Sequence, residues 1–231
     1  MKITFFVFIF LFSFINNAFC NDNHLFILSG QSNMAYLDPK GIFIPTVGMY
    51  YGDRNIIVVH DAEPAKSIVN WAEDAWLWER LVENVKLATS GKRVVTVTFI
   101  WMQGESDYRY YFLYEDRLNN LLFRVKNLFP FAESFFVIGR ITDYTPIDNI
   151  EGWEEIRKIQ ENICNENENF LMINTDDLNG EDNGVHFDDN YDELAKRFAD
   201  AAIKMNPRKV NLLFRVVQNI VALKAIELRK N

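Results

Sequence analysis

Ser32 stands in Gly30-Gln31-Ser32-Asn33-Met34, directly after the apolar run Leu25-Phe26-Ile27-Leu28. A hydroxyl there can attack an acyl carbon if a base takes its proton and amide donors face the oxygen that becomes negative. The apolar run reads as a strand buried on both faces, and the glycine at its end permits a tight turn into a helix. Ser32 then sits at the carboxyl end of a central strand, where open α/β sheets hold their ligands. The competing reading is a serine that only caps the helix. The chain offers three imidazoles as base. His24 precedes the first strand and belongs to the opposite end of the sheet. His60 ends a second apolar run, and His186 lies in Asp182-Asn183-Gly184-Val185-His186-Phe187. Both fall on the serine's side, and spacing does not choose between them. A third polar segment, Trp101-Met102-Gln103-Gly104-Glu105-Ser106-Asp107, closes a third apolar run. There Gln103 offers an amide donor, Gly104 allows close backbone approach, and Glu105 can accept hydrogen bonds from the serine turn. The alternative is a polar loop that caps the next helix through Ser106 or Asp107. No glycine-rich phosphate loop is present and no histidine pair has metal-ligand spacing, so neither a metal nor an organic cofactor is expected.

These segments need a scaffold, and the pattern around them supplies one. Strands are predicted at 25–28, 55–60, 94–101, 135–139 and 170–173. Between them, 74–88, 110–128, 152–164 and 191–205 carry apolar residues at helical spacing. Such alternation predicts an α/β fold with a parallel sheet covered on both faces. The stretch Tyr36 to Tyr51, rich in Gly, Pro and Tyr, reads as a long loop near the mouth of the site. Trp71, Trp76 and Trp78 read either as core or as an aromatic wall open to stacking, with Trp78 assigned to the core.

A chain of 231 residues with 49% hydrophobic content fits one domain with a large core, and a formal charge of -8 argues against nucleic-acid binding. Residues 1–20 have a basic start, a short apolar stretch and small residues at Ala18 and Cys20, the pattern of a signal peptide; secretion or residence in the secretory-pathway lumen is expected. Removal after Cys20 leaves Cys164 alone, so no intrachain disulfide is expected in the mature domain, 21–206. Residues 207–231 form a basic amphipathic segment, read as a terminal helix packed on the domain or as a peripheral membrane contact.

Taken together and in order, Ser29 to Met34, Trp101 to Asp107 and Asn183 to Phe187 resemble the SGNH hydrolase superfamily, and within it the sialate O-acetylesterase-like branch (carbohydrate esterase family six). The resemblance extends to Phe136-Val137-Ile138-Gly139-Arg140 and to the helix around Arg157 and Gln160. It implies a three-layer α/β/α flavodoxin-like sandwich with a five-stranded parallel sheet. It implies Ser32 as nucleophile and His186, rather than His60, as base. The oxyanion would be held by the Ser32 amide and the Gln103 side chain, with Gln31, Asn33, Gly104 and Glu105 in support. The chain departs from the family twice. An Asp precedes the family's catalytic His by three residues, whereas Asn183 stands there: either Asp182, one place earlier, reaches the ring, or Ser32 and His186 work as a slow dyad, or the site is impaired. The family's glycine donor between the second and third strands has no counterpart in Trp71 to Trp76. The reading that follows is a secreted serine esterase removing O-acetyl groups from a carbohydrate, sialic acid or an acetylated polysaccharide. Its alternative is a catalytically impaired carbohydrate-binding or interaction protein on the same fold.

Overall fold

The computed structural model describes residues 22–144, 146, 148–179 and 184–207. The expected signal peptide, the basic segment from 208 onward, and Asp182 with Asn183 lie outside the described residues. Five strands, β1 (Asn23–Gly30), β2 (Ile56–Ala62), β3 (Val94–Met102), β4 (Glu133–Gly139) and β5 (Phe170–Ile173), make one sheet in the order β2-β1-β3-β4-β5. Every neighbouring pair is parallel. This is the flavodoxin order, in which the winding reverses between β1 and β3 and opens a crevice at their carboxyl ends. Register aligns Ala62, Gly30, Met102, Gly139 and Ile173 in one row across the sheet, so the loops that follow them share one rim.

Strand side chains alternate between two apolar layers. Leu25, Ile27, Phe99 and Trp101 face one core, closed by α3 (Trp76–Thr89), α4 (Tyr114–Leu128) and α5 (Ile150–Asn165). Phe26, Leu28, Ile100 and Met102 face the other, closed by α1 (Ser32–Ala35), α2 (Phe43–Tyr51) and α6 (Tyr191–Met205). Both faces of β1 and β3 are therefore dry, which is why Leu25 to Leu28 and Phe99 to Met102 are continuously apolar rather than alternating. Trp71 and Trp78 belong to the first core, and the Trp71 ring meets Trp101 edge to face at 5.1 Å. Trp76 is exposed beneath the Arg80 guanidinium, 4.9 Å from its ring centre. Cys164, the free cysteine of the described domain, is buried at the end of α5, and burial pushes its thiol up to about 12.

Two expected element boundaries move. The segment expected as a long loop contains α2, whose Phe43, Val47 and Tyr51 recur at helical spacing and are buried. Pro45 falls in its first turn, where a missing N–H costs no helical hydrogen bond. The helix expected from Tyr110 begins at Tyr114, after a 3-10 stretch at Tyr108–Leu113 with Tyr110 out of helical conformation. That stretch crosses the start of α5 so closely that a Cβ on Gly152 would lie 1.9 Å from the Tyr108 carbonyl oxygen.

Gly30 is the tightest point of the crevice. Its φ is +148°, and a Cβ there would lie 1.9 Å from the Met102 carbonyl oxygen, the group that accepts the Gln31 amide at 2.9 Å. Gly30→Ala is therefore expected to lower unfolding stability by about 3 kcal/mol, combining backbone strain and overpacking. Denaturant melts check this; a loss near that of an ordinary surface change would show that the β1–β3 exit tolerates a side chain.

Candidate active site

Ser32 is the first residue of α1, so its backbone N–H has no acceptor within the helix. Gln31 is the N-cap and makes no side-chain cap bond, and the Ser32 hydroxyl turns instead toward the last loop. Its Oγ lies 3.0 Å from His186 Nε2, across 154 residues of sequence. The two groups stand within hydrogen-bond reach, the geometry that a nucleophile and its base require. For Ser32 to donate, His186 must carry its own proton on Nδ1, a nitrogen with no hydrogen-bond partner among the described residues. His60 does not reach the pair: its Nε2 donates to the Met34 carbonyl at 2.8 Å. His24 is at the other end of the sheet, bonded through Nδ1 to Thr96 Oγ1 at 2.8 Å.

Asn33 fixes the pair. It is fully buried, and its Nδ2 donates to Glu105 Oε1 at 2.8 Å and to the Val185 carbonyl at 2.9 Å. Tyr191, opening α6, donates its hydroxyl to Asn33 Oδ1 at 3.2 Å. Tyr36 lies one helical turn beyond Ser32, and its ring meets His186 at 5.4 Å and Tyr191 at 6.0 Å, both edge to face. Neither tyrosine was singled out from the sequence, although the i, i+4 spacing of Ser32 and Tyr36 places both on one helical face.

Gln103 is also fully buried, and its Nε2 is ringed by acceptors: Asp107 Oδ2 at 2.5 Å, Lys66 O at 3.1 Å and Gln31 Oε1 at 3.2 Å. Two amide hydrogens serve three oxygens, so a Gln103 donor for an oxyanion would have to leave one of them. Gln31 Oε1 also accepts from the Ser106 amide at 3.1 Å. Asp107 holds the N-cap position of the 3-10 stretch but makes no side-chain cap bond there: its carboxylate takes the Ser67 hydroxyl at 2.5 Å and the Ile68 amide at 2.8 Å, binding the loop after β2 to the loop after β3. The segment that faces Gln103 is therefore Lys66 to Ile68, not Trp71 to Trp76. Immediately before it Ala65 adopts φ +55°, a conformation that favours glycine. Gly104 has φ +149° and no room for a Cβ, which would lie 2.8 Å from Ile156 Cγ2. Behind it Gln160 donates to the Gln103 carbonyl at 2.9 Å and accepts the Ile141 amide at 2.9 Å, tying the exits of β3 and β4.

Electrostatics follows from this burial. Desolvation pushes the Glu105 carboxyl up to about 7, against the pull of the Asn33 amide, and the neighbouring Asp107 adds to the rise. Desolvation also raises Asp107, although its three donors oppose it. Among the described residues no group of three His, Cys, Asp or Glu could hold a metal ion.

A serine presented at the carboxyl rim of a doubly wound parallel sheet, over a Gln-Gly-Glu turn, gives the chain the fold of the SGNH and GDSL hydrolases. Residues 36–204 match the carbohydrate esterase family of sialic acid-specific acetylesterases, and the chain belongs to that family. Among solved structures it is similar to a protein of Arabidopsis thaliana (TM-score 0.63, 18% identity, 79% of this chain and 98% of that one). It is also similar to NanS (TM-score 0.60, 14% identity, 80% and 97%). A carbohydrate acetylesterase from Xanthomonas citri matches at a TM-score of 0.59 and 12% identity, over 79% of this chain and 56% of that one. At these identities the likeness is one of fold. Among curated proteins, none matches the sequence.

The raised carboxyl of Glu105 links stability to pH. A carboxyl that holds its proton more tightly folded than unfolded contributes stability at low pH, lost as pH rises from its ordinary value to about 7. Glu105→Gln keeps an oxygen for Asn33 and removes the titration. Between pH 5 and 8 the variant is expected to lose less stability than the parent, and parallel melting-temperature profiles would show that Glu105 ionises freely in the fold.

Proposed function

We propose that the protein is a serine esterase that removes O-acetyl groups from a carbohydrate through an acetyl-enzyme. The single observation that carries this reading is the 3.0 Å contact between Ser32 Oγ and His186 Nε2 at the rim of the sheet. Family membership supports the acetyl ester and the carbohydrate. In the first half of the reaction His186 Nε2 takes the Ser32 proton as Oγ bonds to the acetyl carbon. The carbonyl oxygen becomes an oxyanion facing the Ser32 amide. The C–O bond to the sugar then breaks, and the leaving oxygen takes the proton from His186. Water attacks the acetyl-serine with His186 again as base, releasing acetate and returning the proton to Ser32. No step calls for a cofactor. The leader-like sequence of residues 1–20 supports action in the secretory pathway or outside the cell.

A second reading, a blunted enzyme that chiefly binds its sugar, is favoured by Asn183 in the position of the family's orienting Asp and by the inward engagement of Gln103 Nε2. An amide opposite Nδ1 tends to hold the wrong imidazole tautomer, and in serine proteases that change costs about 10⁴ in turnover.

Ser32→Ala is expected to abolish acetate release and labelling by a fluorophosphonate while leaving the circular dichroism spectrum unchanged. Undiminished acetate release from that variant would remove the serine mechanism. Asn183→Asp separates the two readings. A gain in turnover of about tenfold or more marks a site blunted by the amide; little change means that His186 is already oriented by another group.

A further inference from the structure

An open groove of about 470 Å³ adjoins the serine turn, lined by Tyr36, Asp38, Lys40, Ile44, Val58 and His60 among others. Tyr36 is its shared wall with the catalytic pair: the same ring lines the groove and meets His186 edge to face at 5.4 Å. We propose that this groove is the leaving-group subsite, which seats the sugar ring whose acetyl ester lies at Ser32, with Tyr36 as its stacking platform. The proposal rests on the esterase reading above and adds to it the place and chemistry of the substrate's other half.

The lining suits a sugar rather than a plain apolar acyl chain. Tyr36 is 53% exposed, enough aromatic surface to cover the C–H face of a pyranose. Ile44 and Val58 supply an apolar floor. The polar groups differ in kind. His60 Nε2 must carry a hydrogen, because it lies 2.8 Å from the Met34 carbonyl oxygen; a neutral ring then presents Nδ1 as an acceptor. Asp38 spends Oδ1 on the Lys40 amide at 3.0 Å, which holds the turn and keeps its carboxylate in place as an acceptor. The Lys40 ammonium is a donor. An aromatic surface with both donors and acceptors in the same groove matches a ring that carries hydroxyls on its edge and C–H bonds on its faces. The geometry also couples binding to catalysis, since a sugar stacked on Tyr36 bears on the residue packed against the base.

Binding can be measured without turnover in full-length Ser32→Ala protein, by calorimetric titration with 9-O-acetylated sialic acid and with an acetylated xylo-oligosaccharide. At least one is expected to bind. Adding Tyr36→Ala or Asp38→Ala to that background is expected to weaken the binding about tenfold, whereas Tyr36→Phe retains it, because stacking needs the ring and not the hydroxyl. Affinity unchanged in both alanine variants, or no binding of either sugar to Ser32→Ala, would overturn the subsite. Fluorophosphonate labelling of the parent protein tests the esterase reading separately: labelling with no effect of the groove variants on sugar affinity sinks the subsite alone, and absence of labelling sinks the serine mechanism while the titrations still score the groove.

Discussion

Asn33 has two amide hydrogens, and both go to segments remote from it in sequence: the Glu105 carboxylate at 2.8 Å and the Val185 carbonyl at 2.9 Å. A single hydrogen bond of this kind contributes only about 1 kcal/mol net, but a buried donor left without a partner costs more. The asymmetry is what holds the site. If the loop bearing His186 withdraws, Asn33 loses an acceptor inside a fully buried environment, and Tyr191 loses its contact with Asn33 Oδ1. The residue after Ser32 thus holds the residue before His186, and that clamp bears directly on the Ser32–His186 distance.

Most of the scaffold was legible because both faces of the sheet are covered. Continuous apolar runs such as Leu25 to Leu28 and Phe99 to Met102 have one reading in an alternating chain, and all five strands fall where such runs stand. The helix α2 was hidden because Pro45 and Gly48 masked the buried spacing of Phe43, Val47 and Tyr51. Pro45 is harmless in a first turn, and Gly48 lies under the exposed Asp53 side chain, whose carboxylate a Cβ would displace. In the site, Ser32, Gln103, Glu105 and His186 could be named from their segments. What the residues could not show is direction. Gln103 looks like an outward donor in a string of letters, yet Asp107, Lys66 and Gln31 draw its amide inward. Pairwise geometry between loops separated by 37 or 72 residues carries no local signature.

The two carboxyls behind the nucleophile differ in how they are held. Asp107 is surrounded by three donors from two loops and joins the β2 and β3 exits, whereas Glu105 meets the serine turn through one amide. Burial raises both. A rim assembled from buried polar groups is rigid while every member is partnered and costly when one is not. Here Glu105 Oε2 and Gln103 Oε1 are buried without a hydrogen-bond partner among the described residues, so the network carries that cost.

Of the chain's two cysteines, Cys164 is the one in the described domain, packed where α5 lies against the sheet with its thiol pushed up to about 12. No disulfide is present among the described residues, so none contributes to the domain's cohesion. The same sulfur is shielded from alkylating reagents for as long as α5 stays docked, which turns it into an internal reporter of undocking. Its rate of modification would read the opening of the very helix whose Gln160 braces the Gln-Gly-Glu turn.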